Sequence, residues 1–301
     1  MKLYNLDKLR IGTRGSALAI AQTNIVIEKL ELAFPSIKDI IEIKKINVSG
    51  DAFNKHPLRN HGGKGLFTKE IDQAVIDGDV DLAVHSLKDM DSCLSKGLTI
   101  VAVTEREDAR EFFVSKEIKN LYQLKVNSIV GTSSLRRKAQ LLNIRPDLKF
   151  TNLRGNVLKR LEKFNSGEFD ATILAYAGLK RLSIVTDGFL LDLDSMLPCL
   201  GQGIIGIVTS ERNEKIIDII SQINHSETFN QMISERSLLG ALKATCNTPI
   251  SGIAKIIGDK ILLRSEVYSY DGKEIFDTEI EGKINESKMI GLEAGKILKK
   301  K

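Results

Sequence analysis

One order of elements occurs twice in this chain, and that repetition limits the fold more than any other feature. Gly12-Thr13-Arg14-Gly15-Ser16 ends a short apolar strand and opens a helix containing Ala21-Gln22, and Gly131-Thr132-Ser133-Ser134 opens a helix containing Ala139-Gln140. Further on, Gly78-Asp79-Val80-Asp81 leads into a strand and then Lys88, as Gly167-Glu168-Phe169-Asp170 leads into a strand and then Lys180. Strands alternating with helices imply open α/β sheets, and the same order twice implies two similar lobes. Ligands bind such sheets outside the carboxyl ends of the strands, where helix N-termini point. A ligand cleft between the lobes is therefore expected.

Locally, residues 9–12 read as a strand and 16–34 as a helix, with Ala17, Leu18, Ala21, Ile25 and Leu30 at helical spacing behind Ser16 as N-cap. Residues 40–48 read as a strand, 66–76 as a helix stopped at Gly78, and 82–85 as a strand after which Ser86 is placed to cap a helix carrying Lys88 and Asp89. The last third changes texture. A helix over 226–243 cannot continue to Pro249, and strand-like runs at 250–255, 260–269 and 274–281 meet at the turns Gly258-Asp259 and Asp271-Gly272. A helix over 286–298 closes a small α+β domain. The division expected is 1–104 plus 204–222 for one lobe, 105–203 for the other and 223–301 for the third domain.

A chain of 301 residues exceeds the usual size of one core, in keeping with several units. Apolar residues at 42% and charged residues at 28% describe a globular protein, with order expected everywhere but the terminal Lys299, Lys300 and Lys301. No uncharged apolar run is long enough for a membrane, and Lys2, Asp7 and Lys8 stand where a signal peptide has its apolar core. A cytoplasmic protein without membrane contact is expected. The charge of +5, from 44 basic against 39 acidic residues, with 5% aromatics and no tryptophan, does not describe a nucleic-acid binder. Cys93, Cys199 and Cys246 have no CxxC spacing, and the four histidines are scattered, so neither a disulfide framework nor a metal site is indicated. Cys93 and Cys199 suit the role of small buried hydrophobes. Cys246, on a stretch between a helix and a proline, does not.

The chemistry is signalled by basic residues at turns and helix starts: Arg14, Lys64, Lys88, Arg136, Arg137, Arg154, Arg160 and Arg181. Free backbone N–H groups and guanidinium forks both match carboxylate or phosphate oxygens. Each such residue alone could be a solvated surface charge, but as a set they favour an anion. Charged hydrogen bonds contribute roughly 1.5–3 kcal/mol each, and one carboxylate needs one or two, so this many basic groups suit a polyanion. Gly62-Gly63-Lys64-Gly65-Leu66-Phe67-Thr68 lacks P-loop spacing, which disfavours a nucleotide. Residues 59–65 read as a mobile glycine-rich cover. Asp89 either serves a helix dipole or, among cations, steadies a transient positive charge and shuttles a proton.

These motifs in this order resemble the hydroxymethylbilane synthase (porphobilinogen deaminase) family: Thr13-Arg14-Gly15-Ser16-Ala17-Leu18-Ala19, Gly62-Gly63-Lys64-Gly65-Leu66-Phe67, His85-Ser86-Leu87-Lys88-Asp89, Gly131-Thr132-Ser133-Ser134-Leu135-Arg136-Arg137, Asn152-Leu153-Arg154-Gly155-Asn156-Val157 with Arg160, Ala177-Gly178-Leu179-Lys180-Arg181-Leu182, Gly201-Gln202-Gly203, and Glu235-Arg236 leading to Cys246-Asn247-Thr248-Pro249. The resemblance implies an α/β fold of two lobes like those of type II periplasmic binding proteins, with a third small α+β domain. It implies a dipyrromethane cofactor joined to Cys246 by a thioether and held by Lys88, Asp89, Ser134, Arg136, Arg137 and Arg160. Arg14, Ser16, Gln22, Lys64, Arg154 and Arg181 would bind the carboxylates of porphobilinogen and of the growing oligopyrrole chain. Asp89 would be the catalytic group. The implied reaction is loss of ammonia from porphobilinogen to an azafulvene, attack by the terminal pyrrole, and, after four additions, hydrolytic release of hydroxymethylbilane, a step of porphyrin and heme biosynthesis carried out by a monomer.

The chain departs from the family pattern at Asn60, at Met90-Asp91 and at Ala244-Thr245, the last bearing on the shape of the cofactor loop. The rival from another class is a non-catalytic anion-binding protein of the periplasmic type. It would share the lobes and arginines but has no use for Asp89 and Cys246 together.

Overall fold

A computed structural model describes residues 6–52, 65, 67–245 and 247–299. The strands are β1 (Leu9–Arg14), β2 (Ile41–Ile46), β3 (Leu82–Ser86), β4 (Leu98–Val103), β5 (Glu111–Ser115), β6 (Ile129–Gly131), β7 (Lys149–Thr151), β8 (Ala171–Ala175), β9 (Gly188–Leu191), β10 (Ile205–Ser210), β11 (Ile250–Ile257), β12 (Lys260–Tyr268) and β13 (Ile275–Lys283). The helices are α1 (Ala17–Ala33), α2 (Ser49–Ala52), α3 (Lys69–Ile76), α4 (Leu135–Ile144), α5 (Val157–Asn165), α6 (Tyr176–Arg181), α7 (Glu214–Ser221), α8 (Ser226–Leu242) and α9 (Ser287–Lys299). Lys299 is thus ordered as the end of α9. Among the described residues no helix is long and apolar enough to cross a membrane.

The chain forms two compact units, one of residues up to Glu107 with Gly203–Asn230, the other of Asp108–Gln202 with the chain from Gln231. The first holds a five-stranded sheet in the order β2-β1-β3-β10-β4. β1 lies parallel to β2 and β3, while β10 runs against both β3 and β4. The parallel strands need a crossover helix, which α1 supplies. Ser16 caps α1 by accepting from the Ala19 N–H, and Pro35 follows its end. Val26 and Leu30 of α1 bury against Leu9, Ile11, Leu82, Val84, Ile205 and Ile207 of the sheet.

The second unit holds a sheet of the same design in the order β7-β6-β8-β5-β9. β6 is parallel to β7 and β8, and β5 is the reversed strand. Both lobes expected from the repeat are therefore present, each with the parallel trio 2-1-3, one reversed strand and an edge. The repeated turns also match. A Cβ on Gly12 would come within 3.0 Å of Val80, and one on Gly131 within 3.0 Å of the Phe169 ring, so each strand needs glycine where it passes the residue preceding the third strand.

The same unit contains the third sheet, an antiparallel meander in the order β11-β12-β13. Its core joins Ile250, Ala254, Ile261 and Leu263 to Leu238 of α8 and to Ile290, Ala294 and Leu298 of α9. The fully buried carboxylate of Glu235 accepts from Ala254 N at 2.7 Å and from Gly201 N at 2.5 Å. The turn after β12 docks on α4, where Asn143 Nδ2 donates to Gly272 O at 2.9 Å.

Two local expectations are corrected. Asp89 sits on a single 3-10 turn, Leu87–Asp89, and Ser86 makes no capping bond to it, because Ser86 Oγ is engaged with Gln22 at 2.8 Å. The helix expected from residue 66 begins at Lys69, and Leu66 itself lies outside the described residues. Gly272 has φ of +73°, and a Cβ there would run into the Ala139 carbonyl of α4. Gly272→Ala is expected to cost roughly 2 kcal/mol or more of unfolding free energy, read as a lower denaturant midpoint at unchanged slope.

Candidate functional site

In the first unit the site grows from the carboxyl ends of two adjacent parallel strands. β1 ends at Arg14, and Ser16 opens α1 two residues later, with Gln22 further along that helix. β3 ends at Ser86, and the following turn carries Lys88 and Asp89, both half-buried. Because β1 and β3 are neighbours, Arg14, Ser16, Gln22, Ser86 and Asp89 line one concavity, together with Phe67 and His85. The Arg14 guanidinium carbon stands 4.6 Å from the centroid of the Phe67 ring, a cation–π contact that orients its flat donor face. Behind the concavity the buried His85 Nε2 lies 3.2 Å from Asp72 Oδ1, off the line of a hydrogen bond.

In the second unit the equivalent strand end is β6, and Ser134 caps α4 by accepting from Arg137 N. Arg136 and Arg137 therefore occupy the first turn of α4, yet both are more than nine-tenths buried. The reason is Glu111, the first residue of β5, whose side chain is fully buried. Its Oε1 accepts from Arg136 Nη2 at 2.6 Å and from Arg137 Nε at 3.1 Å, and its Oε2 from Arg137 Nη2 at 2.7 Å. Arg136 also donates to Gln140 Oε1 at 3.1 Å and to Leu197 O at 3.2 Å. Burial pulls the Arg136 pKa down, but the charge of Glu111 outweighs it and the net shift is upward. Two guanidiniums share one carboxylate, so the cluster keeps a positive excess that suits an anion.

Beside it, Asn156 caps α5, and Arg160 Nε donates to Gly155 O at 2.8 Å, which ties Arg160 to the turn that carries Arg154. Arg181 ends α6. Lys64 and Cys246, and the expected cover over 59–65 apart from Gly65, lie outside the described residues. The neighbours of Cys246 are described. Thr248 N donates to Thr245 O at 2.9 Å, Thr245 N to Thr248 Oγ1 at 3.1 Å, and Asn247 N to Thr245 Oγ1 at 3.3 Å. The Ala244-Thr245 departure thus gives this turn a hydroxyl that holds it.

Sequence reasoning missed Glu111. Its signal was a lone acid opening the apolar run Phe112-Phe113-Val114, a place where a charge persists only if paired. The reading of Cys93 as a buried hydrophobe is corrected, since its side chain is exposed, and Cys199 is half-buried. Cys93 sits in the segment between the Asp89 turn and β4, where no strand or helix covers it.

Glu111→Gln is expected to destabilise the fold by roughly 3–5 kcal/mol by leaving two buried guanidiniums against a neutral amide, measured by denaturant unfolding. Comparison with known proteins agrees with the site. Residues 9–218 match the family model "Porphobilinogen deaminase, dipyromethane cofactor binding domain" and 229–300 match "Porphobilinogen deaminase, C-terminal domain". The chain is 45% identical over 298 residues to a porphobilinogen deaminase of Rickettsia bellii, covering 97% of this chain and 98% of the relative. It is 43% identical over 292 residues to that of Nitrobacter hamburgensis, covering 97% and 92%. Among solved structures, a periplasmic substrate-binding protein of an ABC transporter from Coxiella burnetii aligns with a TM-score of 0.45 at 14% identity, over 71% of this chain and 91% of that one. With both parts matched over nearly its whole length, the chain belongs to the porphobilinogen deaminase family.

Proposed function

We propose that Asp89 is the acid–base group of this transferase and that the arginines at the ends of its two α/β sheets hold the carboxylates of its substrates. The reaction condenses four porphobilinogen molecules stepwise, with loss of ammonia, and releases hydroxymethylbilane by hydrolysis. The observation that carries the assignment of roles is the concavity in which Asp89 shares walls with Arg14 and Ser16.

Asp89, half-buried at the end of β3, accepts pyrrole N–H groups at its carboxylate oxygens. It stabilises the positive charge that develops on porphobilinogen as ammonia departs, and it takes up the proton lost when two rings join. Arg14, with its guanidinium stacked on Phe67, binds an acetate or propionate of the incoming ring, aided by Ser16 and Gln22. Lys64, Arg154 and Arg181 bind further substrate carboxylates. Lys88, Ser134, Arg136, Arg137 and Arg160 hold the dipyrromethane cofactor, whose carboxylates match the positive excess beside Glu111. The cofactor, joined to Cys246, supplies the free pyrrole α-carbon that receives each new ring. Each ring adds two carboxylates, which accounts for more arginines than a single substrate needs.

The chain works as a cytoplasmic monomer without nucleic acid, and divides into 1–104 plus 204–222, 105–203 and 223–301. Only half of Asp89's role is electrostatic, so Asp89→Asn is expected to lower kcat by about 10²–10⁴-fold with a smaller change in KM, read as porphobilinogen consumption. Intact mass of the purified protein is expected to exceed the polypeptide by two pyrrole units and to climb in single-unit steps on brief exposure to porphobilinogen. Cys246→Ala is expected to show neither. Bare polypeptide mass without steps, after an attempt to load the cofactor, would favour a non-catalytic anion-binding protein.

A further inference from the structure

Tyr268 closes β12 beside the residues that flank Cys246. Its backbone N–H donates to Pro249 O at 3.0 Å, which extends the β11–β12 ladder one step towards the turn formed by Thr245 and Thr248. Its buried hydroxyl donates to Glu266 Oε2 at 2.6 Å. The same oxygen accepts from Ser251 Oγ at 3.2 Å, so one carboxylate joins β12 to β11. From the opposite side the side chain of Gln140, on α4, reaches the Tyr268 hydroxyl. Gln140 in turn accepts from Arg136 at 3.1 Å. A buried chain of polar contacts therefore runs from Glu111 through Arg136, Gln140, Tyr268 and Glu266 to Ser251. Burial, helped by Glu266, raises the Tyr268 pKa above its ordinary value, so the hydroxyl keeps its proton at neutral pH and remains a donor.

Nothing in packing requires a hydroxyl at this position. A phenylalanine would fill the same space, and Glu266 would be easier to accommodate at the protein surface than beside a buried ring. Such a chain has a use if the two ends it joins must keep a fixed distance. One end is the guanidinium cluster at the N-terminus of α4, and the other is the strand that leads out of the segment around Cys246.

We propose that Tyr268 is a positioning residue for the covalent anchor, linking the segment around Cys246 to the Arg136–Glu111 cluster so that the fixed end of the growing chain stays in register with its carboxylate-binding arginines. This rests on the functional reading above. Covalent attachment alone leaves the anchored rings free to swing about the thioether, and small displacements of reacting atoms are costly in rate. A second hold on the anchor segment removes that freedom at every addition.

The test uses the loaded enzyme and three forms of it: wild type, Tyr268→Phe and Glu266→Gln. The readouts are amide hydrogen exchange by mass spectrometry, intact mass, and steady-state kinetics with porphobilinogen. Tyr268→Phe is expected to speed exchange in peptides covering 245–251 by about tenfold, the equivalent of one hydrogen bond, with β12–β13 unchanged. Its kcat is expected to fall by about five- to tenfold with KM within about twofold, and its cofactor mass to be retained. Glu266→Gln keeps an acceptor oxygen for the hydroxyl and is expected to stay within about twofold of wild type in both exchange and kcat. Wild-type exchange at 245–251 in Tyr268→Phe overturns the proposal, as does faster exchange throughout β11–β13, which would mark general loosening, or unaltered kcat despite a loosened segment. Equal losses in Glu266→Gln also overturn it, because the charge and not the hydroxyl would then carry the effect. A wild-type protein without the two-ring mass excess overturns the functional reading itself, and is told apart from the other outcomes because the wild type alone decides it.

Discussion

A single carboxylate, that of Glu111, holds two guanidiniums in a place with no access to water. Charges are removed from water at high cost, and the cost is offset only where geometry is good and every lone pair is used. Both oxygens of Glu111 accept from arginine here, one of them twice. The arginines come from the first turn of α4 and the acid from the reversed strand β5, so the contact fixes the start of that helix against the sheet. The third sheet then docks on the same helix through Gly272 and Asn143. The anion-binding end of the lobe and the seat of the cofactor-bearing domain therefore depend on one ion cluster.

The first unit uses a different means to the same end. Its cation, Arg14, is held by an aromatic ring instead of a buried acid, and the acid, Asp89, stands at the mouth of the concavity, half-buried. A carboxylate that must receive protons cannot be tied up as Glu111 is. The division is chemical: one acid is fully committed to holding cations in place, and the other is left where substrate can reach it. Ser86 contributes by bonding to Gln22, which joins the end of β3 to α1 across the two strand ends.

The third sheet adds an anchor whose position is set from two sides. Glu235 binds the backbone at Gly201 and at Ala254, so α8 secures both the passage that leads towards β10 and the first strand of the meander. The turn between Thr245 and Thr248 is closed by their own backbone and hydroxyl groups. Thr245, a departure from the family pattern, thus takes part in the turn it was expected to disturb, because its small β-hydroxyl can bond locally.

Much was legible in the sequence because it depends on short-range physics. The caps at Ser16, Ser134 and Asn156, the stops at Gly78 and Pro249 and the meander turns are local choices of backbone conformation, and the repeated order of elements announced two similar sheets. The family and its reaction were legible from motifs of consecutive residues. Tertiary structure alone decided the rest. β5 and β10 enter their sheets reversed and from distant parts of the chain, a pairing set by long-range burial that no local pattern encodes. The helix expected at Lys88 and Asp89 became a single turn because its cap was drawn to Gln22, far away in sequence. Arg136 and Arg137 could be read as cations but not as buried ones, since the acid that permits their burial lies 25 and 26 residues earlier. Side-chain charge is a property of sequence, whereas the cost of removing it from water depends on what the fold places beside it.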